Sequence, residues 1–173
     1  MSPRVSKTDP QIIKMPDQKM AVVRGKGEPD EVFPMTMPAL YGAVYTLKFD
    51  LKKMGLESFK VGALRARYPE AVKKTKKDWT IIMGIPVPED TRVLVQKVPD
   101  VPVAIETWKY GTVAQILHLG AYDRETENIE KLHRFIAGQG YEIAGDHEEE
   151  YLTRPDAKVP KTIIRYAVRK KSA

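Results

Sequence analysis

Cysteine is absent from the chain, which excludes disulfides, thiolate nucleophiles and cysteine-ligated zinc or iron–sulfur centres together. Histidine is scarce as well: His118, His133 and His147 are the only three, and their spacing matches no metal-ligand motif, so no metal or cofactor is expected. No apolar run approaches the roughly 20 residues of a membrane helix, and the N-terminal "MSPRVSKTDPQ" lacks the apolar segment of a signal peptide. These absences point to a cytoplasmic protein with no membrane partner. A serine-centred nucleophile elbow is missing too. The glycine-containing stretch "RGKGEPD" lacks both the lysine-hydroxyl ending of a P-loop and the third glycine of a dinucleotide fingerprint, and reads as a turn.

What is present suits one domain of ordinary size: 173 residues, 42% hydrophobic and 30% charged, enough to bury a core without covalent staples. The formal net charge of +6 raises the question of nucleic acid. The densest basic run, "KKTKK" (Lys73 to Lys77), has no helix-turn-helix, zinc finger or interleaved aromatics beside it. It reads as a solvated loop, and no nucleic-acid partner is expected; an acidic protein partner remains conceivable.

Along the chain, "KMAVV" (Lys19 to Val23) reads as a strand followed by a Gly/Pro-rich turn. Pro34 and Pro38 are expected to delay a helix to about Pro38, after which Leu40, Val44, Leu47, Leu51 and Met54 form a buried stripe that stops at Gly55. Two strands follow, Phe59 to Tyr68 and Trp79 to Val87. The second half repeats this order: a strand from Thr112 to Leu119, a helix from about Asp123 carrying Ile129, Leu132 and Ile136 inward, then two closing strands. The parallel between "AVVRGKG" and "AQILHLG" supports a duplication. The fold class is therefore α+β: two β-α-β-β units related by a pseudo-twofold, antiparallel sheets around a central cleft, two helices on one side. Residues 1–18 read as an N-terminal extension and 19–173 as one domain, with repeats at about 19–90 and 101–170.

The stretch "HEEEYLTRP" (His147 to Pro155) puts three glutamates in a row. On a strand, His147, Glu149 and Tyr151 share one face, and Glu148, Glu150 and Leu152 share the other. Either the run is a charged edge strand, or Glu149 faces a pocket. Tyr41 and Tyr45 on the first helix, with Lys48 and Lys52, either pack beside the core or line the cleft. Trp79, Trp108, Tyr110, Tyr122 and Tyr151 fall on or just after strands, where several rings can converge. Aromatic walls around one desolvated carboxylate suit a flat cationic ligand; the same carboxylate, raised by burial, can serve as a general base. His118 and His147 can approach Glu149 across neighbouring strands, whereas His133 reads as structural.

The ordered set "GKGEPDEVF", "LYGAVYTLKFDLKKMG", "DWTIIMGIPVP", "QILHLGAYDRE", "LHRFIAGQGYEI", "HEEEYLTRP" and "KTIIRYAV" resembles the stand-alone GyrI-like proteins, relatives of the effector-binding domains of AraC-type and MerR-type regulators. The resemblance runs from about Ala21 to Val168. It implies a cleft glutamate in the pattern Glu-x-Tyr-Leu followed by proline, here Glu149, Tyr151, Leu152 and Pro155, with Glu148 and Glu150 solvated. With that glutamate, the residues expected from the reading above to line the cleft are Tyr41, Tyr45, Tyr68, Trp79, Trp108, Tyr110, His118 and Tyr122, and the resemblance implies a role in holding amphipathic, aromatic or cationic small molecules. Some relatives hydrolyse cyclopropane-bearing DNA alkylators, which would make Glu149 a catalytic base assisted by Tyr151. Those relatives carry Leu-Glu-Gly-Leu-Trp-Trp where this chain has "LRARYP" (Leu64 to Pro69), with Arg65 in place of the glutamate. Others inhibit DNA gyrase, so a protein-interaction role is a third implication.

Overall fold

A computed structural model describes residues 8–69, 73–154 and 156–172. In chain order the elements are β1 (Gln11–Met15), β2 (Gln18–Lys26), α1 (Pro29–Lys53), β3 (Leu64–Tyr68), β4 (Thr80–Pro86), β5 (Ala104–Trp108), β6 (Gly111–Leu119), α2 (Thr126–Gly138), β7 (Tyr141–Ile143), β8 (His147–Tyr151) and β9 (Lys161–Lys170). They form two compact units, residues 18–108 and residues 1–17 with 109–173.

Both units follow one plan, the duplicated antiparallel α+β arrangement expected from the sequence. In the first, the strand order is β3-β4-β2-β5; in the second it is β8-β9-β6-β1, with β7 also paired to β9. Each β-α-β-β repeat thus has its opening strand flanked by its closing strand and by one strand from outside the repeat. The central strands are buried on both faces: Met20 to Val23 of β2 are all buried, as are Val113 to His118 of β6.

Helix α1 begins nine residues earlier than the sequence suggested, at Pro29 rather than Pro38. Pro29 occupies the first turn, where an amide hydrogen has no intrahelical partner anyway. Pro34 and Pro38 each remove one helical hydrogen bond, but both lie on the exposed side, while Val32, Thr36, Ala39, Leu40, Ala43 and Val44 are buried along the other. Burial of that stripe outweighs the two lost bonds. Gly25 of β2 permits the approach, since a Cβ there would collide with Val32 Cγ1. The stripe read from sequence fades toward the C-terminus: Leu47 and Leu51 are half-buried, Met54 is exposed, and the three line an open groove with Val93 and Val95. Gly55, at φ 71°, ends the helix as expected, with Leu56 N–H bonded to Leu51 O and Gly55 N–H to Lys52 O.

Three other boundaries move. The strand expected from Phe59 begins at Leu64, and the stretch before it takes no regular structure. The N-terminal stretch is not a mere extension, because β1 pairs along β6 from Gln11↔Gln115 to Met15↔Gly111. Its apolar face explains this: Ile12 packs on the core formed by Ala114, Ile116, Leu132, Ile136, Ile164, Tyr166 and Val168. In the second half, a 3-10 turn at Tyr122–Arg124 precedes α2, which carries Ile129, Leu132 and Ile136 onto the sheet as read. The described lysines of the basic loop, Lys73, Lys74, Lys76 and Lys77, are exposed. Among the described residues, no helix is long and apolar enough to cross a membrane.

Candidate functional site

The acidic run is strand β8, and the pleat alternates its side chains as the sequence pattern requires. In register with β9, Glu148 pairs with Arg165 and Glu150 with Ile163, whereas Glu149 pairs with Ile164 and so shares the face that carries α2. The expectation that Glu148 and Glu150 are solvated is overturned: they are 2% and 6% exposed. The reason is Arg165, itself buried, whose Nη1 donates to Glu148 at 2.8 Å and to Glu150 at 3.1 Å. Its Nε donates to Gln115 Oε1 at 3.1 Å, and the Tyr110 hydroxyl donates to both oxygens of Glu148 at 3.0 and 3.1 Å. Burial alone lowers the guanidinium pKa, but the two carboxylates outweigh it and raise the value. A guanidinium between two carboxylates satisfies charges that would otherwise be prohibitive to bury.

Glu149 is 7% exposed and has a different set of neighbours. His147 Nε2 lies 3.5 Å from Glu149 Oε2, and the Tyr151 hydroxyl donates to the same oxygen at 3.4 Å. His147 Nδ1 is 2.6 Å from the Tyr166 hydroxyl, and the Tyr166 ring also meets His133 edge-on at 5.1 Å. A further hydrogen bond joins Glu149 to Glu125. Burial, the largest influence on Glu149, pushes its pKa up; the hydrogen bonds from His147, Glu125 and Tyr151 together hold it below the usual carboxylate range. Glu125 moves the other way, pushed up to about 10 by burial and by the hydrogen bond and charge of Glu149. The pair is a carboxylic acid beside a carboxylate at neutral pH. Burial and then the charges of Glu149 and Glu125 raise Tyr166, and burial followed by the nearby His147 lowers His133.

Glu125 reaches this place because of the turn between β6 and α2. It stands at the N-cap of α2, where its carbonyl accepts from Ile129 N–H at 2.9 Å, but its side chain makes no cap hydrogen bond. His118 fixes the turn: Nδ1 accepts from the Asn128 amide at 2.8 Å, which leaves Nε2–H to donate to Ala121 O at 2.8 Å. The same turn presents Tyr122, 39% exposed, edge-on to Tyr151 at 5.8 Å. The site therefore combines one ionised carboxylate, one proton-bearing carboxyl, an imidazole and two partly exposed rings. Among the described residues, no group of three or more His, Asp or Glu has metal-ligating geometry.

Of the residues singled out from sequence, Glu149, Tyr151 and Tyr122 come together. His118 serves the turn and is not among the groups bonded to Glu149. Tyr110 joins the Arg165 network on the opposite face. The remaining aromatics belong to the unit of residues 18–108. There Tyr41 stacks on Tyr45 and Tyr45 on Phe49, Tyr68 meets Trp79 edge-on at 5.7 Å, and Trp108 lies 4.1 Å beneath the Arg67 guanidinium. Pro155, the last position of the Glu-x-Tyr-Leu pattern, lies outside the described residues. Sequence reading missed Glu125, Tyr166 and Arg165. A signal for Arg165 existed in the closing strand "KTIIRYAV", where a lone cation interrupts an apolar run. Glu125 looked like one acidic residue among several in a polar turn.

Comparison with solved structures supports the fold. An uncharacterized conserved protein from Listeria innocua superposes with a TM-score of 0.82 at 24% identity, over 95% of this chain and 94% of the other. A hydrolase from Listeria innocua gives 0.78 at 24% identity, over 94% and 93%. The EcmrR C-terminal domain gives 0.66 at 13% identity, over 94% and 98%. No curated protein matches the chain in sequence. The model of the GyrI-like small molecule binding domain matches residues 8–168, nearly the whole chain, and the protein belongs to that family.

Proposed function

We propose that the protein holds amphipathic aromatic cations, with Glu149 supplying the countercharge and Tyr122 and Tyr151 the aromatic surface. The observation that carries this reading is the nearly buried Glu149 carboxyl beside two partly exposed rings. Among its bonded neighbours no arginine or lysine cancels its charge, in contrast to Glu148 and Glu150. A desolvated carboxylate gains most from a cation, and ring faces add about 0.5–2 kcal/mol through cation–π contact. A cysteine-free, cytoplasmic protein of this kind would sequester such molecules. Titration calorimetry with a naphthylmethylammonium probe tests the reading: Glu149→Gln should weaken binding at least tenfold while the variant stays folded by circular dichroism. Unchanged affinity would overturn it.

One observation favours a second reading, hydrolysis of a cyclopropane-bearing electrophile. An ionised Glu149 and a protonated Glu125 place a base and an acid side by side. Glu149 would take a proton from the attacking water while Glu125 gave one to the oxygen that gains the electrons of the opened ring. The lowered pKa of Glu149 makes it a weak base, so binding stands first. A mass-spectrometric time course with a cyclopropane-bearing alkylator decides: water-added product formed catalytically and lost in Glu149→Gln would reverse that order.

A further inference from the structure

His147 stands on the same face of β8 as Glu149 and Tyr151, two residues before the carboxylate. Its Nε2 lies 3.5 Å from Glu149 Oε2 and its Nδ1 lies 2.6 Å from the Tyr166 hydroxyl, so both ring nitrogens are engaged at once. A neutral imidazole has one donor and one acceptor nitrogen. A lone pair on Nε2 would face the carboxylate oxygen, so the neutral ring carries its proton there and the Tyr166 hydroxyl donates to Nδ1. The same hydroxyl serves the charged ring, because it can turn and accept once Nδ1 gains a proton. His147 can therefore change charge without losing this hydrogen bond. The His147 and Glu149 side chains are 12% and 9% exposed, so an imidazolium here would act on Glu149 with little water to screen it. The titratable groups around the ring are Glu149 and Tyr151 from β8, Tyr166 from β9 and His133 from α2. Beyond these, Glu125 at the N-cap of α2 acts on Glu149, and Glu130 of α2 acts on His133.

We propose that His147 makes the Glu149 site an exchanger of organic cations for protons: the neutral imidazole leaves Glu149 open to a cation, and the imidazolium satisfies Glu149 from within. This rests on the reading of Glu149 as the countercharge and names how that site is regulated. A cation held by Glu149 repels a second positive charge on the neighbouring ring, so binding drives the His147 proton into solvent. Acidification runs the other way, protonating His147 and releasing the cation. By linkage, each weakens the other by the same factor. The exchange falls in the pH range where a histidine ordinarily titrates.

The test uses naphthylmethyl-trimethylammonium, a permanent cation, so that only the protein titrates. Titration calorimetry on the full chain at pH 8 and pH 5, either side of the ordinary histidine range, should find the affinity about tenfold lower at the acid pH. Between these limits, calorimetry in two buffers of different ionisation enthalpy should show proton release on binding. His147→Gln keeps an amide donor for Glu149 but cannot gain a charge. Whatever its absolute affinity, the ratio between the two pH values should come close to one. A wild-type affinity equal at both pH values, or a fall that persists in His147→Gln, would overturn the role of His147. Should the variant fail to fold, an NMR titration of the wild-type histidine rings decides: the probe should move the His147 titration to lower pH, and no movement overturns the proposal. Each of these failures leaves Glu149 as countercharge if Glu149→Gln still weakens binding at pH 8. A wild type that does not bind the probe at pH 8, or a Glu149→Gln variant that binds as tightly, would overturn both readings.

Discussion

On one face of the β8–β9 pair, Glu148 and Glu150 share a guanidinium; on the other, Glu149 has the Tyr151 hydroxyl and the His147 imidazole as neighbours. All three glutamates are buried to nearly the same degree, so burial alone does not decide what a carboxylate does. The Arg165 face meets charge with charge and holds its acceptors at 2.8–3.1 Å. The Glu149 face has longer contacts, 3.4 and 3.5 Å, from Tyr151 and His147. Carboxylates that share a guanidinium stabilise the fold, and one with no arginine or lysine among its bonded neighbours is available to a cation.

The largest effect should come from breaking the charge-paired face. Arg165→Leu removes the guanidinium that Glu148 and Glu150 share, and a loss of about 3–5 kcal/mol is expected. At about 2–4 °C per kcal/mol for a chain of this size, thermal unfolding monitored by circular dichroism should fall by roughly 10 °C or more. A loss under about 1 kcal/mol would show that solvent reaches this network and that the contrast between the faces is false.

A smaller, pH-dependent effect should come from the proton on the other face. The folded-state pKa of Glu125 lies above its unfolded value, so the folded protein retains a proton that the unfolded chain has lost. The associated stability is complete below the ordinary carboxylate range and declines as pH rises from there toward about 10. Glu149 runs the opposite way: lowered in the fold, it stabilises above the ordinary range and loses this as pH falls through its folded value. Glu125→Gln mimics the protonated acid at every pH. Its stability relative to wild type, measured by urea unfolding, should therefore grow between pH 5 and pH 8, by at most about 1.4 kcal/mol per pH unit. A pH-independent difference would mean that Glu125 is ionised in the fold.

The smallest effect sharpens the contrast from the ligand side. Tyr122 is 39% exposed and its ring meets Tyr151, so Tyr122→Ala should change stability by no more than about 0.5 kcal/mol. It should still weaken binding of an aromatic cation a few-fold, the scale of one exposed cation–π contact. An equal loss of stability would place Tyr122 among the structural rings instead.

These two faces were unequally legible in the sequence. Period-two alternation in "HEEEY" separated Glu149 from its neighbours, because a strand's pleat is a local property. It did not say that Glu148 and Glu150 are buried, because that depends on Arg165, 15 to 17 residues away and brought alongside only by the β8–β9 register. Glu125 was hidden for the same reason: its side chain leaves the helix cap and meets Glu149 across the fold. The glycine stop at Gly55 was legible, as it is set by local backbone geometry. The start of α1 was misread because a proline's cost is local and the burial that outweighs it is not. The aromatic residues could be counted from sequence but not grouped; within their own unit Tyr122 and Tyr151 lie beside Glu149.

The most direct test is a side-chain carboxyl NMR titration of glutamate-labelled protein, with and without naphthylmethylammonium at pH 7. The account predicts a protonated Glu125 beside an ionised Glu149, and carboxyl shifts on adding the cation that are confined to these two. Shifts at Glu148 and Glu150, or a Glu125 carboxyl that is ionised at pH 7, would contradict it.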